Sequence, residues 1–534
     1  MNIKYFLLGG GKPQWTVLHH NGPMFPPEYI PHNVPIIVNN KEVILSKEAE
    51  EFATAYAKYI NTDYCKSNTF KKNFWKDFKK LVGNNINSLD EIDFSLIEKH
   101  LIVEKDKKKL VTKEQKERIK KEQDTIDEPY KFCIIDGIQQ QVGNFKIEPP
   151  GIFLGRGNHP LSGHIKKRLY PEDIIINLSK DAKIPTPNIP GHKWGEVIHD
   201  NSVIWLASWK ENITGKNKYV FTSLDSFFKS KSDESKFDLA RKLKKNINKI
   251  REDYGKQLLS DNMKNKQLAT ALYFIDNLAL RVGGMKDTKE AADTVGVTSL
   301  RVEHINLLDD NYIKLDFLGK DSIRYCKKVQ VTDLIYKNLQ DFVKNKNRKD
   351  DLFDLITSSA LNEYLNSIME GLTAKVWRTY NASTLFQKEI DKVKDEKLSE
   401  FTPGDRLNYL LAMFNQANAE VALLCNHQKN VNKSLDSTLD KINDRIKELK
   451  AKKRKAKDKD KIKTIKAKIL SLKQKKETKI KLKDVSLGTS KDNYIDPRII
   501  FAYIKKFNIP PIEILKEKAQ KRFEWASKYD DYRF

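Results

Sequence analysis

The sequence predicts a multidomain α+β protein, and three observations predict it. Short apolar runs alternate with Gly/Pro turns through roughly the first 225 residues. From about residue 235 to 430 the apolar residues recur at helical spacing. Residues 431–484 then carry a narrow apolar stripe at heptad spacing on a lysine-rich background.

The bulk numbers bound what such a chain can do. It has 534 residues, room for on the order of three or four domains. Its 98 Lys+Arg against 72 Asp+Glu give a net charge of +26. An excess of that size implies a polyanionic partner, with nucleic acid first and an anionic membrane surface as the competitor. No window approaches the roughly 18 apolar residues of a spanning helix. MNIKYFLLGGG is too short and too weakly apolar for a signal peptide, so the chain reads as soluble and intracellular. Cys65, Cys133, Cys326 and Cys425 form no CxxC pair, which argues against a zinc site or a disulfide framework. GGGKPQW at 9–15 lacks the GxxxxGK[ST] spacing of a phosphate loop. No nucleotide site is read, and no cofactor is expected.

In chain order, NGPMFPPEYIPHNVPIIVNNKEVILS gives short strands and Pro-rich loops, followed by an amphipathic helix over Lys47–Tyr59. Residues 104–127 are highly charged and rich in helix formers, a solvated helix or a long helix aimed at a charged ligand. Patterns of β type return over 145–225, with FKIEPPGIFLGRGNHP and SVIWLASWKENITGKNKYVF. The helical stretch that follows is interrupted by one hairpin, TSLRVEHINLLDDNYIKLDFLGKDSIRYCKKV. Leu435, Leu439, Ile442, Ile446 and Leu449 then form one seam, and Ile462, Ile465, Ile469 and Leu472 a second. The polar break KKRKAKDKD between them predicts an antiparallel helical hairpin. Its lysines are either a solvated face or a DNA-facing arm.

After that hairpin comes GTSKDNYIDPR, 488–498, built around the single phenol of Tyr494. A tyrosine is ordinarily a half-buried aromatic with its hydroxyl satisfied. As a nucleophile it needs surroundings that favour phenolate, since its ordinary pKa is about 10. With a phosphodiester as electrophile, cations and donors must meet the charge that builds on the non-bridging oxygens, and a general acid must protonate the leaving alkoxide. Arg281 in LALRVGG, Arg378 in GLTAKVWRTYNAS, Lys320 in LDFLGKDSIRY and His427 in VALLCNHQK have the right types. Each also has a structural reading: carbonyl-capping arginine, exposed turn lysine, core histidine. Composition and spacing leave both readings open.

The ordered strings decide differently. WTVLHHNGP, NFKIEPPG, GRGNHP, PEDIIIN, GHKW, ADTVG, SLRVEHI, DFLGKDSIRY, MEGLTAKV, RTYNAS, LCNHQ, LGTSK and DPRI, from Trp15 to the terminal DDYRF, closely resemble the eukaryotic type IB DNA topoisomerases. The resemblance implies Tyr494 as the nucleophile of a 3′-phosphotyrosyl link, with Arg281, Arg378 and His427 on the scissile phosphate. It implies Lys320 as general acid that also reaches the minor groove, Arg156 in the minor groove, and Asn493, Asp321, His159 and Lys193 as further DNA contacts. Asn493, Asp321 and Arg156 match positions that contact camptothecin-type inhibitors. Supercoil relaxation without ATP or metal follows, because the phosphodiester is stored as a protein–DNA ester and returned.

The architecture implied is a bilobed DNA clamp. Residues 1–222 would form a mixed α/β cap and N-terminal clamp, and 223–430 a mainly helical tyrosine recombinase/topoisomerase IB catalytic core. Residues 431–484 would be an antiparallel coiled-coil linker, and 485–534 would carry the nucleophile. A monomer clamping double-stranded DNA is expected, with no membrane partner. It would be nuclear in a cellular eukaryote, or in the viral factory or virion of a large DNA virus. KKRKAKDKDK is a candidate import signal. Leu154, Gly284 and Met285 depart from the family pattern without touching the five catalytic positions. A site-specific recombinase would need base-reading and multimer-forming elements, and a non-catalytic clamp would not need the nucleophile; the strings and the filled catalytic positions favour neither.

Overall fold

The computed structural model describes residues 10–83, 86–393, 398, 403–429, 435–481, 483–529 and 533–534. Most of the N-terminal stretch MNIKYFLLGGG, read above as no signal peptide, the first residues of the 431–484 segment and most of the terminal DDYRF fall outside them. The chain divides into two compact units. One comprises 1–228 with 286–293, and the other 229–285 with 294–534.

The first unit is built on short strands, as the Gly/Pro punctuation requires. Leu18–His20, Phe132–Ile135 and Ile138–Gln141 form one antiparallel sheet. Ile175–Asn177 lies between Glu196–Ile198, which runs parallel to it, and the antiparallel pair Ala207–Lys210 and Asn217–Val220. Trp15, Leu18, Phe25, Ile174, Ile176 and Leu206 fill the core between these elements.

A second core in this unit is aromatic. The helix expected from Lys47 runs Lys47–Ala57, with Ser46 accepting from the Ala49 amide as its N-cap. The helix Asn68–Val82 starts on the Ser67 cap and buries Phe70, Phe74 and Phe78 at i, i+4 spacing. Tyr56 stacks on Phe74 with centroids 4.1 Å apart. The charged stretch 104–127 is not one helix. Ser95–Leu110 ends at Val111, and Thr112 opens Lys113–Asp127 with a capping box: Thr112 Oγ1 accepts from Gln115 N at 3.2 Å, and Gln115 Oε1 from Thr112 N at 3.0 Å. Two orphan amides are satisfied by the break, so the sequence pays little for stopping there.

The second unit is mainly helical around one large core. Where one hairpin was expected there are three antiparallel strands, Ile305–Leu308, Tyr312–Leu318 and Arg324–Gln330. The long helices Phe227–Gln257 (from Lys229 on), Met263–Leu278, Ala374–Ile390 and Pro403–Leu424 contribute to this core, in which Trp377 of Ala374–Ile390 is fully buried. Its indole Nε1 donates to Asp276 Oδ1 at 3.0 Å. Asp276 also receives both Arg251 Nε and Nη2, at 2.8 and 3.0 Å, and the Tyr254 hydroxyl at 2.8 Å. Asn381 Nδ2 donates to the Asp276 carbonyl at 2.7 Å. This satisfied carboxylate ties Met263–Leu278 to Ala374–Ile390, the helices that lead to Arg281 and carry Arg378.

The lysine-rich segment forms two helices, Leu435–Lys455 and Lys459–Lys481, that pack on each other across a three-residue turn. Ile442, Ile446 and Leu449 of the first seam are buried. The polar break is narrower than the sequence implied, because helix persists through Lys455.

Candidate active site

Four of the five expected catalytic side chains meet in the second unit. Arg281 follows the helix Met263–Leu278, which ends where Ala279 turns left-handed at φ 50°. Two glycines fix the segment beyond it. Gly283 has φ +81°, and a Cβ there would lie 2.6 Å from Gly296 Cα. A Cβ on Gly296 would lie 2.7 Å from the Arg281 carbonyl oxygen. That carbonyl accepts from Val297 N at 2.9 Å. The close crossing therefore sets the backbone of Arg281.

Arg378 projects from Ala374–Ile390 and is 4 % exposed. Its Nη1 donates to the Ala279 carbonyl and its Nη2 to the Cys425 carbonyl at 3.0 Å. The capping reading of this arginine is thus correct as geometry. It does not exhaust the guanidinium: Nε is buried with no hydrogen-bond partner. A buried unpaired donor on a cation is costly, and such groups occur where a ligand is to be met.

His427 lies just past Pro403–Leu424, its amide donating to Ala422 O at 2.8 Å. Its Nδ1 is 2.7 Å from Ser490 Oγ, and its Nε2 is 3.5 Å from Arg378 Nη2. Burial, followed by the charges of Arg378 and Arg281, pushes the imidazole down to about 3. It is neutral at any physiological pH.

Tyr494 caps the short helix Leu487–Asn493, with its amide on Ser490 O at 2.9 Å. Its ring stacks on His427 at 5.4 Å, and the Arg378 guanidinium lies 5.1 Å from the ring centroid. Burial alone would raise the phenol pKa. The charges of Arg378 and Arg281, with a hydrogen bond from Arg281, outweigh it and hold the pKa below the ordinary tyrosine value. Most of the buried or half-buried tyrosines whose pKa departs from the ordinary value move the other way; Tyr254, Tyr325 and Tyr503 are pushed up by burial.

The residues after Tyr494 anchor it. Ser383 Oγ donates to the Tyr494 carbonyl at 3.2 Å and accepts from Asp496 N at 3.0 Å. Asp496, fully buried, caps Pro497–Phe507 and pairs with Arg498 and with Arg241 Nε at 3.0 Å. The DPR that follows the phenol is a clamp on the body of the unit.

Lys320 stands exposed at the tip between Tyr312–Leu318 and Arg324–Gln330, beside Asp321 at φ 65°. Among the described residues, none of the polar contacts of the four-residue cluster involves it. Asn493 is exposed at the end of the Tyr494 helix, with Nδ2 on Thr489 O at 3.1 Å. The remaining expected DNA contacts belong to the first unit. Arg156 is exposed in the loop of GRGNHP. His159 is partly buried, its Nδ1 accepting from Leu161 N at 3.1 Å and its ring edge-on to Phe153. Lys193 is exposed, its amide held by Glu172 Oε1 at 3.2 Å. Ser490, Asp276 and the carbonyls of Ala279 and Cys425 carried no signal of their own in the sequence. The described residues contain no group of three or more metal-ligating side chains and no helix long and apolar enough to cross a membrane.

Three family models match the chain. Residues 13–222 match the DNA-binding fragment of eukaryotic DNA topoisomerase I, 225–460 its catalytic core, and 466–534 the C-terminal topoisomerase domain. Human DNA topoisomerase 1 is 42% identical over 558 aligned positions, which cover 98% of this chain and 72% of the human protein. The Caenorhabditis elegans DNA topoisomerase 1 is 42% identical over 546 positions, 96% of this chain and 66% of its own length. DNA topoisomerase 1 beta of Arabidopsis thaliana is 41% identical over 558 positions, 98% and 60% respectively.

Proposed function

Because the chain belongs to the eukaryotic DNA topoisomerase I family, DNA-binding isomerases of DNA topology, we propose that it relaxes supercoiled duplex DNA by transient cleavage of one strand through Tyr494. The observation that carries this reading is a buried phenol held between two guanidiniums and a neutral imidazole, with its pKa lowered rather than raised.

Tyr494 Oη attacks the phosphorus in line, the Oη–P bond forms, and the P–O5′ bond breaks. The phenol proton leaves to solvent, an ionisation that the two arginines favour. Arg281, the free Nε–H of Arg378 and His427 Nε2–H meet the charge on the non-bridging oxygens. In the unliganded protein Arg378 Nη2 donates to Nε2 and Nδ1–H donates to the Ser490 hydroxyl; donation from Nε2 to a bound phosphate uses the other tautomer, in which the Ser490 hydroxyl donates to Nδ1. A neutral donor suits this place, since a third cation there would cost more than it returned in the unliganded state. Lys320 supplies the proton to the departing 5′-oxygen. Religation reverses each step: the 5′-hydroxyl attacks, its proton returns to Lys320, and the tyrosyl oxygen leaves. The bond energy is kept in the ester, so neither ATP nor a metal is required.

The same reading assigns 1–222 to the N-terminal DNA-binding clamp, 223–430 to the mainly helical catalytic core, 431–484 to a coiled-coil linker and 485–534 to the domain that supplies the nucleophile. Arg156, His159, Lys193, Asn493 and Asp321 contact the duplex, and the protein works as a nuclear monomer. The lysines of the linker brake strand rotation through phosphate attraction, without reading sequence. The test is negatively supercoiled plasmid incubated in EDTA without ATP. A ladder of relaxed topoisomers, lost in Tyr494→Phe, is expected. Binding without relaxation by the parent protein would overturn the reading.

A further inference from the structure

Among the described residues Lys320 shares no polar contact with the cluster it is proposed to serve, so what fixes its position is the hairpin that carries it. The hairpin closes at the pair Leu318 and Arg324. Beyond that pair is a small turn, with Gly319 N donating to Ile323 O at 2.8 Å. The carbonyls of the closing pair are both held from outside the hairpin. Leu318 O accepts from Val295 N at 2.8 Å, one residue before the Gly296 crossing that sets Arg281. Arg324 O accepts two side-chain amides, Asn426 Nδ2 at 3.2 Å and Gln428 Nε2 at 3.1 Å. These two residues flank His427.

The amides also lock each other, Gln428 Nε2 donating to Asn426 Oδ1 at 2.9 Å. Asn426 adopts the left-handed φ of 54°. The main chain of the same loop faces the nucleophile: Lys429 N donates to Asp484 O at 2.8 Å and Ser486 N to His427 O at 2.9 Å, just before the Tyr494 helix. One loop thus touches the hairpin of Lys320 through its side chains and the segment of Tyr494 through its backbone.

We propose that Asn426 and Gln428 are positioning residues for the general acid: their amides clasp the Arg324 carbonyl and set where Lys320 Nζ meets the 5′-oxygen of the leaving strand. The proposal rests on the reading of Lys320 as general acid. Both lone pairs of one carbonyl are engaged, so releasing the clasp frees one side of the turn. Misplacement of a reacting group by about 1 Å costs on the order of 10²-fold in rate, within the roughly 10²–10⁴-fold contribution of a general acid.

The test uses the full chain with Asn426→Gly and Gln428→Met, singly and together. Glycine keeps the left-handed backbone and methionine the volume; both remove the donor. Single-turnover cleavage is measured on a duplex with the ordinary 5′-bridging oxygen and on one with 5′-bridging sulfur, whose thiolate leaves without a proton. The double variant should lose about 10²-fold on the oxygen substrate and stay within about threefold of the parent on sulfur, as Lys320→Ala should. Each single variant should lose less in the same pattern. Equal loss on both substrates by the double variant, or no loss on either, overturns the clasp. If Lys320→Ala is slowed equally on both, the general-acid reading is what fails, and the clasp falls with it.

Discussion

Protonating His427 should be hard, and the size of the penalty follows from its surroundings. The imidazole is 7 % exposed, sits between Ser490 and Arg378, and is depressed from 6.5 to about 3 by burial and by two arginines. A displacement of that size is worth about 5 kcal/mol. The folded-state value lies below the unfolded one, so the native state binds fewer protons. Stability from this residue is complete above the unfolded pKa and is lost as pH falls from there through about 3. Near pH 4.5 the loss is about 3 kcal/mol relative to neutrality. His20 in the first unit, buried and depressed to about 4, adds a loss of the same sign. The assay is a pH titration of the histidine ring signals by NMR, with His427→Gln identifying the resonance. No titration of that signal is expected between neutrality and about pH 4.5. A midpoint near the ordinary histidine value would refute the argument that this ring acts as a neutral donor.

Replacing Arg281 by Gln removes a cation and a hydrogen bond from the Tyr494 phenol, so the pH–rate curve for cleavage should move to higher pH; an unmoved curve would show that the phenol does not ionise against this charge. Arg378→Ala should slow cleavage by at least about 10²-fold and also lower stability by about 2–4 kcal/mol, because the Ala279 and Cys425 carbonyls lose their donor; calorimetry and single-turnover cleavage read the two losses separately. Asp276→Ala should cost about 1–3 kcal/mol by leaving the buried Trp377 indole and Tyr254 hydroxyl without their acceptor, with denaturant melts as the check. Raising salt from about 50 to 200 mM should weaken duplex binding steeply; a flat profile would contradict the reading of the +26 net charge.

The residues of the candidate site were legible through the ordered strings that contain them, not through residue type alone. Tyr494, Arg281, Arg378 and His427 stand in distinctive strings, and the chain brings all four together. What was not legible is how they are held. The Ala279 and Cys425 carbonyls that grip Arg378 are backbone atoms and leave no mark on composition. Ser490 looks like any small helical residue until His427 is seen against it. Asp276 reads as a polar interruption of an apolar helix, and only the fold brings Arg251, Tyr254 and Trp377 to it. The heptad seams were readable because period alone defines them. The helix break at Thr112 was missed, although Thr112 and Gln115 stand at capping-box spacing, because the lysine density on both sides reads as one continuous charged helix. The third strand, Ile305–Leu308, is only four residues long, too short for alternation to separate from a loop.

The most direct test of the central claim is the identity of the covalent adduct. The protein is reacted with a duplex cut so close to one end that the short downstream fragment, released with a 5′-hydroxyl, diffuses away; the adduct is then denatured, digested and sequenced by mass spectrometry. The account predicts a single modified residue, Tyr494, carrying DNA through a 3′-phosphate. A 5′-linked adduct, or an adduct on any other side chain, would contradict it.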